Sequence, residues 1–397
     1  MREVVIAGVG MTPFGKFADR SLRALAEQAA AAALADAGAS AADVEMGFLG
    51  NAAAGLITGQ EMIRAHAALR ESGLLGVPLV SVENACASSS SALHLAWLAV
   101  AAGQVEVALA VGAEKLIHPD KQRSFAAIAT GVDLELRAQL AQRVAPPGAD
   151  PGGSRSFFMD VYAYLAREYM DRSDATAADF AQVAVKNHRH GSLNPNAQYR
   201  DLVTVEQVLG SRPIANPLTL LMCSPLGDGA AAVLLSSEDY ARSRRADAVR
   251  LLASVLVSGR HEPAEPAVER AARRAYELAG VGPQELDVVE LHDAAAPAEL
   301  IVYEELGLAG AGEGAALLRS GATELGGRVP VNVSGGLISK GHPVGATGCA
   351  QIVELTEQLR GRAGARQVDG ARIALAENAG GFLGTESAAV AIHVLAR

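Results

Sequence analysis

Short apolar runs alternate with longer Ala-rich stretches along the 397 residues of the chain. A short β-branched run is typical of a buried strand, and a longer Ala-rich stretch is typical of a helix. The pattern predicts strands at 4–7, 105–111, 230–235, 288–291, 372–376 and 388–394. It predicts helices at 21–38, 88–102, 160–172, 176–190, 267–280 and 347–360. This alternation indicates an α/β fold with helix-covered sheets.

The order of these elements occurs twice. An Ala-rich helix ending in LADAG precedes DVEMGFLGNAA, and VERAARRAYELAG precedes DVVELHDAA later in the chain. Similarly, VENACASSSSALHLAW matches VNVSGGLISKGHPVGATG, which sets Asn84 opposite Asn332 and Cys86 opposite Ser334. Two matches in the same order indicate a duplicated α/β domain.

The repeat predicts an N-terminal half at 1–245 and a C-terminal half at 246–397, which meet at a polar connector near 240–250. An inserted loop domain at about 116–210 has no counterpart in the second half. Long insertions of this kind are usually functional, so we expect it to cover a ligand. A solvent-exposed embellishment is the alternative.

Composition and charge exclude several classes of protein and partner. Half of the residues are hydrophobic, and the net charge is −10. This balance excludes a disordered chain and favours neither a nucleic acid nor a membrane as partner. The N-terminus lacks a signal-peptide pattern, so we expect a cytoplasmic protein. Three widely separated cysteines predict neither a metal site nor a disulfide scaffold. The chain carries no nucleotide-binding glycine motif.

Cys86 is the first candidate for chemistry. It lies among small residues in NACASSSS, directly before a predicted helix. The N–H groups and positive dipole end of a helix N-terminus favour the thiolate, which is the reactive form. A buried structural cysteine is the alternative.

Two histidines accompany this cysteine in the repeat. His342 lies in the Gly-rich loop KGHPVGATG, and His292 follows the strand VVEL in ELHDAAAP. The repeat places Cys86 and the His342 loop at matching positions of two halves. One cysteine and two histidines at such a junction favour acyl transfer through a thioester. In contrast, His188 and His190 in KNHRH are predicted to lie on a solvated helix face, with a ligand contact as the alternative.

The chain resembles the thiolase superfamily and, within it, the thiolases related to sterol carrier protein x. The resemblance rests on NACASSSSAL, KNHRHGSLNPNAQYRD, NPLTLLMCSPLGDGAAA, ELHDAAAPAELIVYEELGL and VNVSGGLISKGHPVGATGCAQIVELTEQLRG. It implies a thiolase fold, in which duplicated αβα halves form a five-layered αβαβα arrangement with an inserted loop domain. It also implies a homodimer or higher oligomer and an acyl-CoA substrate. No permanently bound cofactor is implied. Members of this branch often pair with a small OB-fold, zinc-ribbon (DUF35-like) protein.

The resemblance also implies roles for individual residues. Cys86 would carry the acyl group, and His342 would take its proton. His292, which stands where ordinary thiolases have an asparagine, would help to bind the thioester oxygen. A backbone N–H near Gly381 would complete an oxyanion site.

The sequence departs from the family pattern at the second catalytic cysteine. Degradative thiolases carry it in a Cys-x-Gly segment, where this chain has Asn378 in ENAGGFLG. The sterol-carrier branch carries it in HDCF, where this chain has Ala294 and Ala295. Cys349 and Cys223 are predicted to be structural. These two alanines would suit a bulkier or aromatic acceptor.

The leading hypothesis is therefore an acyl-CoA-dependent C-acyltransferase that makes or breaks a bond β to a carbonyl through acyl-Cys86. A specialised or biosynthetic acceptor is favoured, because the usual second cysteine is missing. One alternative is a retro-aldol lyase acting on a CoA thioester. Another is a non-catalytic thiolase-like subunit of a complex.

Overall fold

A computed structural model describes residues 2–145, 156–261 and 265–397. The helices of this described part are α1 Leu22–Asp36, α2 Ala54–Thr58, α3 Arg64–Ala68, α4 Ser88–Ala101, α5 Lys121–Ile128, α6 Arg137–Val144, α7 Phe157–Arg172, α8 Ala177–Ser192, α9 Val205–Leu209, α10 Glu238–Arg244, α11 Ala267–Ala279, α12 Ala296–Glu305, α13 Gly314–Arg319, α14 Gly336–Ser339 and α15 Thr347–Leu359. The strands are β1 Val4–Met11, β2 Met46–Gly50, β3 Leu79–Val82, β4 Val107–Glu114, β5 Pro213–Ala215, β6 Leu218–Thr219, β7 Gly229–Ser237, β8 Val249–Ser258, β9 Val288–Glu290, β10 Ile373–Leu383 and β11 Glu386–Ala396.

Nine strands pair in the order β3-β2-β4-β7-β1-β8-β11-β10-β9. Counted outward from the β1–β8 pairing, the strands of both halves pair with the same succession of directions. Two antiparallel pairings come first, β1–β7–β4 on one side and β8–β11–β10 on the other. A parallel pairing follows, β4–β2 or β10–β9. β3 adds to β2 in parallel, and a single parallel bridge from Val331 to Val289 is its counterpart. This shared topology confirms the predicted duplication.

The helices lie in three layers around the strands. α1, α3 and α10 pack on the outer face of the N-terminal strands. α4 and α15 lie between the inner faces of both sets of strands. α7, α8, α11 and α12 pack on the outer face of the C-terminal strands. The five-layered αβαβα arrangement expected from the resemblance is therefore present.

The two central helices begin after unequal connections. In the first half, the chain runs from Asn84 through a single 3-10 turn into α4. In the second half, it runs from Asn332 through the additional segment 334–343, then through a 3-10 turn into α15. The additional segment carries His342, which brings a residue of the second half to the start of α4.

The segment between β4 and β7 is long, whereas β10 and β11 are joined by a tight turn. Helices α5–α9 and the pair β5–β6 lie in this segment. Part of it reaches the C-terminal strands, because Val132 forms a bridge with Phe382, and Tyr162 packs edge-on against that ring at 5.5 Å. The predicted range 116–210 for an inserted domain and the division at 245 remain predictions.

All six predicted helices and all six predicted strands are present, with ends shifted by a few residues. Within the predicted connector at 240–250, α10 ends at Arg244 and β8 begins at Val249, so the irregular connection is limited to 245–248. β2, β3 and β8 of the nine-stranded sheet and the short pair β5–β6 were not predicted. Within the described ranges, no helix is both long and apolar enough to cross a membrane.

Candidate active site

Cys86 lies in the 3-10 turn Ala85–Ala87 immediately before α4 and is partly accessible. The preceding residue, Ala85, has a φ of 48°, a left-handed conformation that is unfavourable for a residue with a Cβ. Strained backbone of this kind persists only where surrounding structure holds it, and it clusters at functional sites. The fold therefore holds the thiol in a fixed position.

His342 faces this thiol from the second half. Its Nε2 lies 3.2 Å from Cys86 Sγ, and its Nδ1 lies 2.7 Å from Thr347 Oγ1. If Thr347 accepts the Nδ1 proton, Nε2 carries a free lone pair directed at the thiol. Thr347 thus orients the imidazole with Nε2 toward the Cys86 thiol.

His292 completes the cluster. Its ring meets that of His342 edge-on, with centroids 5.2 Å apart. The ligand atoms of Cys86, His292 and His342 lie within 4.8 Å of one another. Such a spacing could hold a metal ion, but the Sγ–Nε2 pair already has the geometry for proton transfer. His292 Nε2 is buried without a hydrogen-bond partner among the described residues, so it can serve a substrate oxygen.

Burial decides the protonation of the Cys86–His342 pair. Burial raises the pKa of Cys86 to about 12, with a further contribution from the nearby carboxylate of Glu114. Burial also holds the pKa of His342 well below its usual value, helped by His292 and Lys340. Desolvation of the thiol therefore outweighs the N–H groups that favour the anion. The resting pair is a thiol and a neutral imidazole.

The two secondary residues of the prediction lie in different surroundings. The backbone N–H of Gly381 interacts with the Cys86 sulfur and lowers its pKa, so this residue does join the cluster. Asn378 instead accepts a hydrogen bond from Ser90 Oγ at 2.9 Å, one turn further along α4. Its amide nitrogen has no partner among the described residues.

Buried charges that sequence reasoning missed hold the His342 loop. The Leu337 N–H donates to Asp293 Oδ1 at 2.7 Å, and the Gly345 N–H donates to Glu114 at 3.0 Å. Lys340 pairs with Glu290 at 3.3 Å. Single acidic residues at strand ends carry no distinctive sequence signal, because their partners are far apart in the chain.

A second buried group extends this support. Lys186 on α8 pairs with Glu299 at 2.8 Å, and both side chains are fully buried. Glu299 also accepts hydrogen bonds from Asn187 and Asn332, each at 2.8 Å. Lys186 donates to the Val331 carbonyl at 2.7 Å. These contacts therefore hold Val331 and Asn332, from which the chain continues into the loop that carries His342.

The remaining candidates do not join the cluster. His188 and His190 are buried at 3% and 1% exposure, so the predicted solvated face is wrong. His188 contacts the Asp201 carbonyl, and His190 contacts the Asn332 carbonyl. Cys349 is buried in α15 against the Ser89 carbonyl at 3.7 Å. Cys223 packs beside the core.

A small pocket of about 100 Å³ opens beside His292. Helices α7 and α12, the start of α11, the outer face of β10 and the start of β11 form its walls. Neither Ala294 nor Ala295 is among the residues that line it. The extra space expected from these alanines is therefore not part of this pocket.

The five-layered duplicated fold and the Cys–His–His cluster at its centre define an α/β acyl-transfer enzyme. Residues 4–239 match the family model described as "Thiolase, N-terminal domain", and residues 252–393 match "Thiolase C-terminal domain-like". The chain belongs to the thiolase family and is an acyltransferase of that family.

Several known proteins are similar over the whole chain. The acetyl-CoA acetyltransferase of Methanothermobacter thermautotrophicus is 40% identical over 100% of both chains. Sterol carrier protein 2 of Homo sapiens is 36% identical over 96% of this chain and 70% of its own length. The solved Ltp2-ChsH2(DUF35) aldolase superposes with a TM-score of 0.80 and 26% identity, over 99% of this chain and 97% of that one. These similarities confirm the resemblance to the sterol-carrier branch.

Proposed function

We propose that the protein is an acyl-CoA-dependent C-acyltransferase that makes or breaks a carbon–carbon bond β to a carbonyl through an acyl thioester on Cys86. The observation that carries the proposal is the 3.2 Å contact between Cys86 Sγ and His342 Nε2. The name of the 40% identical relative supports acyl-CoA as the donor.

The first half-reaction transfers the acyl group to the enzyme. His342 Nε2 takes the thiol proton as Cys86 Sγ attacks the thioester carbonyl, so no thiolate is needed beforehand. The C–S bond to coenzyme A then breaks, and the departing thiolate takes the proton from His342. His292 and the Gly381 N–H lie where they could stabilise the negative oxygen of the intermediate.

The second half-reaction transfers the acyl group from Cys86 to a carbon nucleophile. The acceptor carbon gives up a proton, the new carbon–carbon bond forms as the thioester bond to Cys86 breaks, and the departing sulfur takes up a proton, so none is gained or lost. The reverse sequence cleaves a β-keto thioester. A specialised or biosynthetic acceptor is favoured, because this chain has Asn378 and Ala294 at the two places where relatives carry a second cysteine.

Intact-protein mass spectrometry after incubation with a panel of acyl-CoAs tests the thioester. We expect a mass increase of one acyl group in the wild type and none in Cys86→Ala. The panel ranks the donors. An unchanged mass with every donor would refute the acyl-Cys86 route.

A second candidate function is a retro-aldol lyase acting on a CoA thioester. The similarity to a solved aldolase favours it, because that structure superposes over nearly the whole chain. A lyase of this type needs no acyl-Cys86. Cleavage that persists at the wild-type rate in Cys86→Ala would therefore identify the lyase, whereas its loss supports the acyltransferase.

The same solved structure is named as an Ltp2–ChsH2(DUF35) assembly. By analogy, we propose that this chain forms a homodimer or higher oligomer and pairs with a small OB-fold, zinc-ribbon protein. Co-purification with such a protein, followed by activity assays, tests the pairing. Equal activity of the isolated chain and of the complex would contradict dependence on a partner. A chain that shows neither acylation nor cleavage, even in the complex, would indicate a non-catalytic subunit.

A further inference from the structure

The pocket beside His292 contains a carboxyl group to which the reaction described above gives no role. Glu377 lies on β10 with no exposed surface. Its Oε2 accepts the His292 backbone N–H at 2.9 Å. Its Oε1 is buried and has no hydrogen-bond partner among the described residues. Buried polar atoms are nearly always satisfied, so an unsatisfied carboxyl oxygen in a pocket calls for an explanation.

His292 lies close both to Glu377 and to the Cys86 thiol. The His292 ring lines the pocket together with Glu377, and its ligand atom lies within 4.8 Å of the Cys86 sulfur. The Tyr162 hydroxyl, which belongs to a residue that lines the pocket, interacts electrostatically with both groups. Its pKa is raised well above its usual value, first by burial and then by the nearby Cys86 and Glu377. A substrate that reaches Cys86 past His292 therefore passes close to Glu377.

Other acid/base candidates for the second half-reaction are poorly placed. Cys349 contacts the Ser89 and Ala110 carbonyls within the central layer and does not line the pocket. Asn378 has no titratable group and contacts Ser90 instead. Glu377 precedes Asn378 in the strand, and its side chain points to the opposite face of the sheet, toward the pocket.

We propose that Glu377 is the catalytic acid/base that acts on the α-carbon of the acceptor, the role that a second cysteine fills in related thiolases. The inference rests on the proposed function and names the residue that completes it. It follows from the unpaired Oε1, the shared pocket with His292 and the absence of a cysteine among the residues that line that pocket.

The step balances without another reactant. The Glu377 carboxylate removes a proton from the α-carbon of the acceptor thioester, and the electron pair of that C–H bond attacks the acyl carbon on Cys86. The carbon–carbon bond forms, the C–S bond to Cys86 breaks, and the sulfur leaves as a thiolate. Glu377 then returns its proton to that thiolate, either directly or through His342. In the cleavage direction, the same proton moves from Glu377 to the departing carbon.

The electrostatics of the pocket suit this role. Burial raises the pKa of Glu377 to about 7, where a carboxyl can both take and give a proton at neutral pH. The titratable groups that share its pocket are His292, Tyr162 on α7, Glu305 on α12 and Glu386 on β11. Among the described residues, neither lysine nor arginine lines the pocket, so no cation among them holds Glu377 permanently ionised.

The test separates the two half-reactions in the full-length protein. Acylation of Cys86 is followed by intact mass, and α-proton exchange of acetyl-CoA and propionyl-CoA is followed in D₂O. Glu377→Gln keeps an oxygen for the His292 N–H but cannot accept the α-proton. We expect it to slow exchange by about 10²–10⁴-fold, while Cys86 acylates at the wild-type rate. Glu277→Gln, at an exposed position of α11, is the matched control.

The pH dependence gives a second readout. Wild-type exchange should rise with pH and level off above a midpoint near 7, because the ionised carboxylate is the base. Glu377→Gln should lose this midpoint. Wild-type exchange in Glu377→Gln would overturn the assignment. The assignment would also be overturned if Glu377→Gln lost acylation as much as exchange while its melting temperature stayed unchanged. That result would indicate that Glu377 only positions His292. No exchange by the wild type would also overturn it. Failure of Cys86 acylation alone would count against the proposed function instead.

Discussion

The two connections that lead into the central helices have the same place in the duplicated fold but are stabilised differently. The first connection is short and is shaped by close backbone contact. A Cβ added to Gly380 on β10 would lie 2.1 Å from the Asn84 carbonyl oxygen, so only glycine allows this approach. The second connection contains the additional segment 334–343 and is held by buried carboxylates. A strained turn therefore presents the thiol, and a longer anchored loop presents its base.

This difference shows how a duplicated domain can yield an asymmetric site. Each half supplies a helix N-terminus at the centre of the molecule. Only the first supplies a cysteine at this point, and only the second supplies a loop long enough to bring a histidine to it. Each prediction below weakens one of the two connections or measures the reactivity of the Cys86–His342 pair that they bring together.

The largest effect is expected from removing the base. His342→Ala should slow acylation of Cys86 by about 10²–10⁴-fold, because the thiol has a pKa of about 12 and needs a proton acceptor. Rapid-quench mass spectrometry with a reactive acyl-CoA measures the rate. His66→Ala, on an exposed site of α3, is the control. An acylation rate within threefold of wild type would mean that the thiol is activated from elsewhere.

The second prediction removes a buried charge below the loop. Lys186→Met should lower the free energy of unfolding by about 3–5 kcal/mol, because Glu299 then remains buried without its cation. Arg189→Met on the same helix removes an ion pair with Glu324 that is exposed to solvent, and it should cost at most about 1 kcal/mol. Denaturant unfolding compares the variants. Equal costs would show that buried charge does not hold the second connection.

Sequence reasoning was sufficient for the parts of the molecule that repeat. The two matched segments predicted that both halves meet, and the residue types predicted which of them carry chemistry. Cys86, His292 and His342 do lie together. Their catalytic roles remain proposals.

Long-range partners were beyond sequence reasoning. Glu114, Glu290 and Glu377 end or interrupt apolar strands, where a single carboxylate looks like a solvated strand end. Their partners lie far along the chain. The raised pKa of Cys86 was beyond sequence reasoning for the same reason, since the helix N-terminus is visible in the sequence but the desolvation of the thiol is not. β3 is a short strand at the sheet edge, and β8 begins within a stretch interpreted as a connector.

The third prediction perturbs the first connection. Gly380→Ala places a methyl group against the Asn84 carbonyl oxygen and 2.6 Å from the Ala87 nitrogen. It should destabilise the fold by about 1–3 kcal/mol and slow acylation by displacing the turn that carries Cys86. Gly282→Ala, where a Cβ meets only side-chain atoms at 3.7 Å, should change neither. Thermal unfolding and acylation rates are measured together. A stable, fully active Gly380→Ala would show that the turn tolerates movement.

The smallest effect is expected where the two connections meet. Acylation should vary little with pH from about 6 to about 9, because a neutral imidazole and a protonated thiol are already the productive forms. The direction of the pH dependence follows from the pKa shifts of His342 and Cys86. The lowered pKa of His342 moves loss of the base to acidic pH, and the raised pKa of Cys86 moves loss of the thiol proton to strongly alkaline pH. Pre-steady-state acylation across this range measures the profile. An acylation rate that rises through pH 8–9 would instead indicate a thiolate nucleophile. It would mean that the helix N-terminus of the first half lowers the pKa of Cys86 by more than burial against the second half raises it.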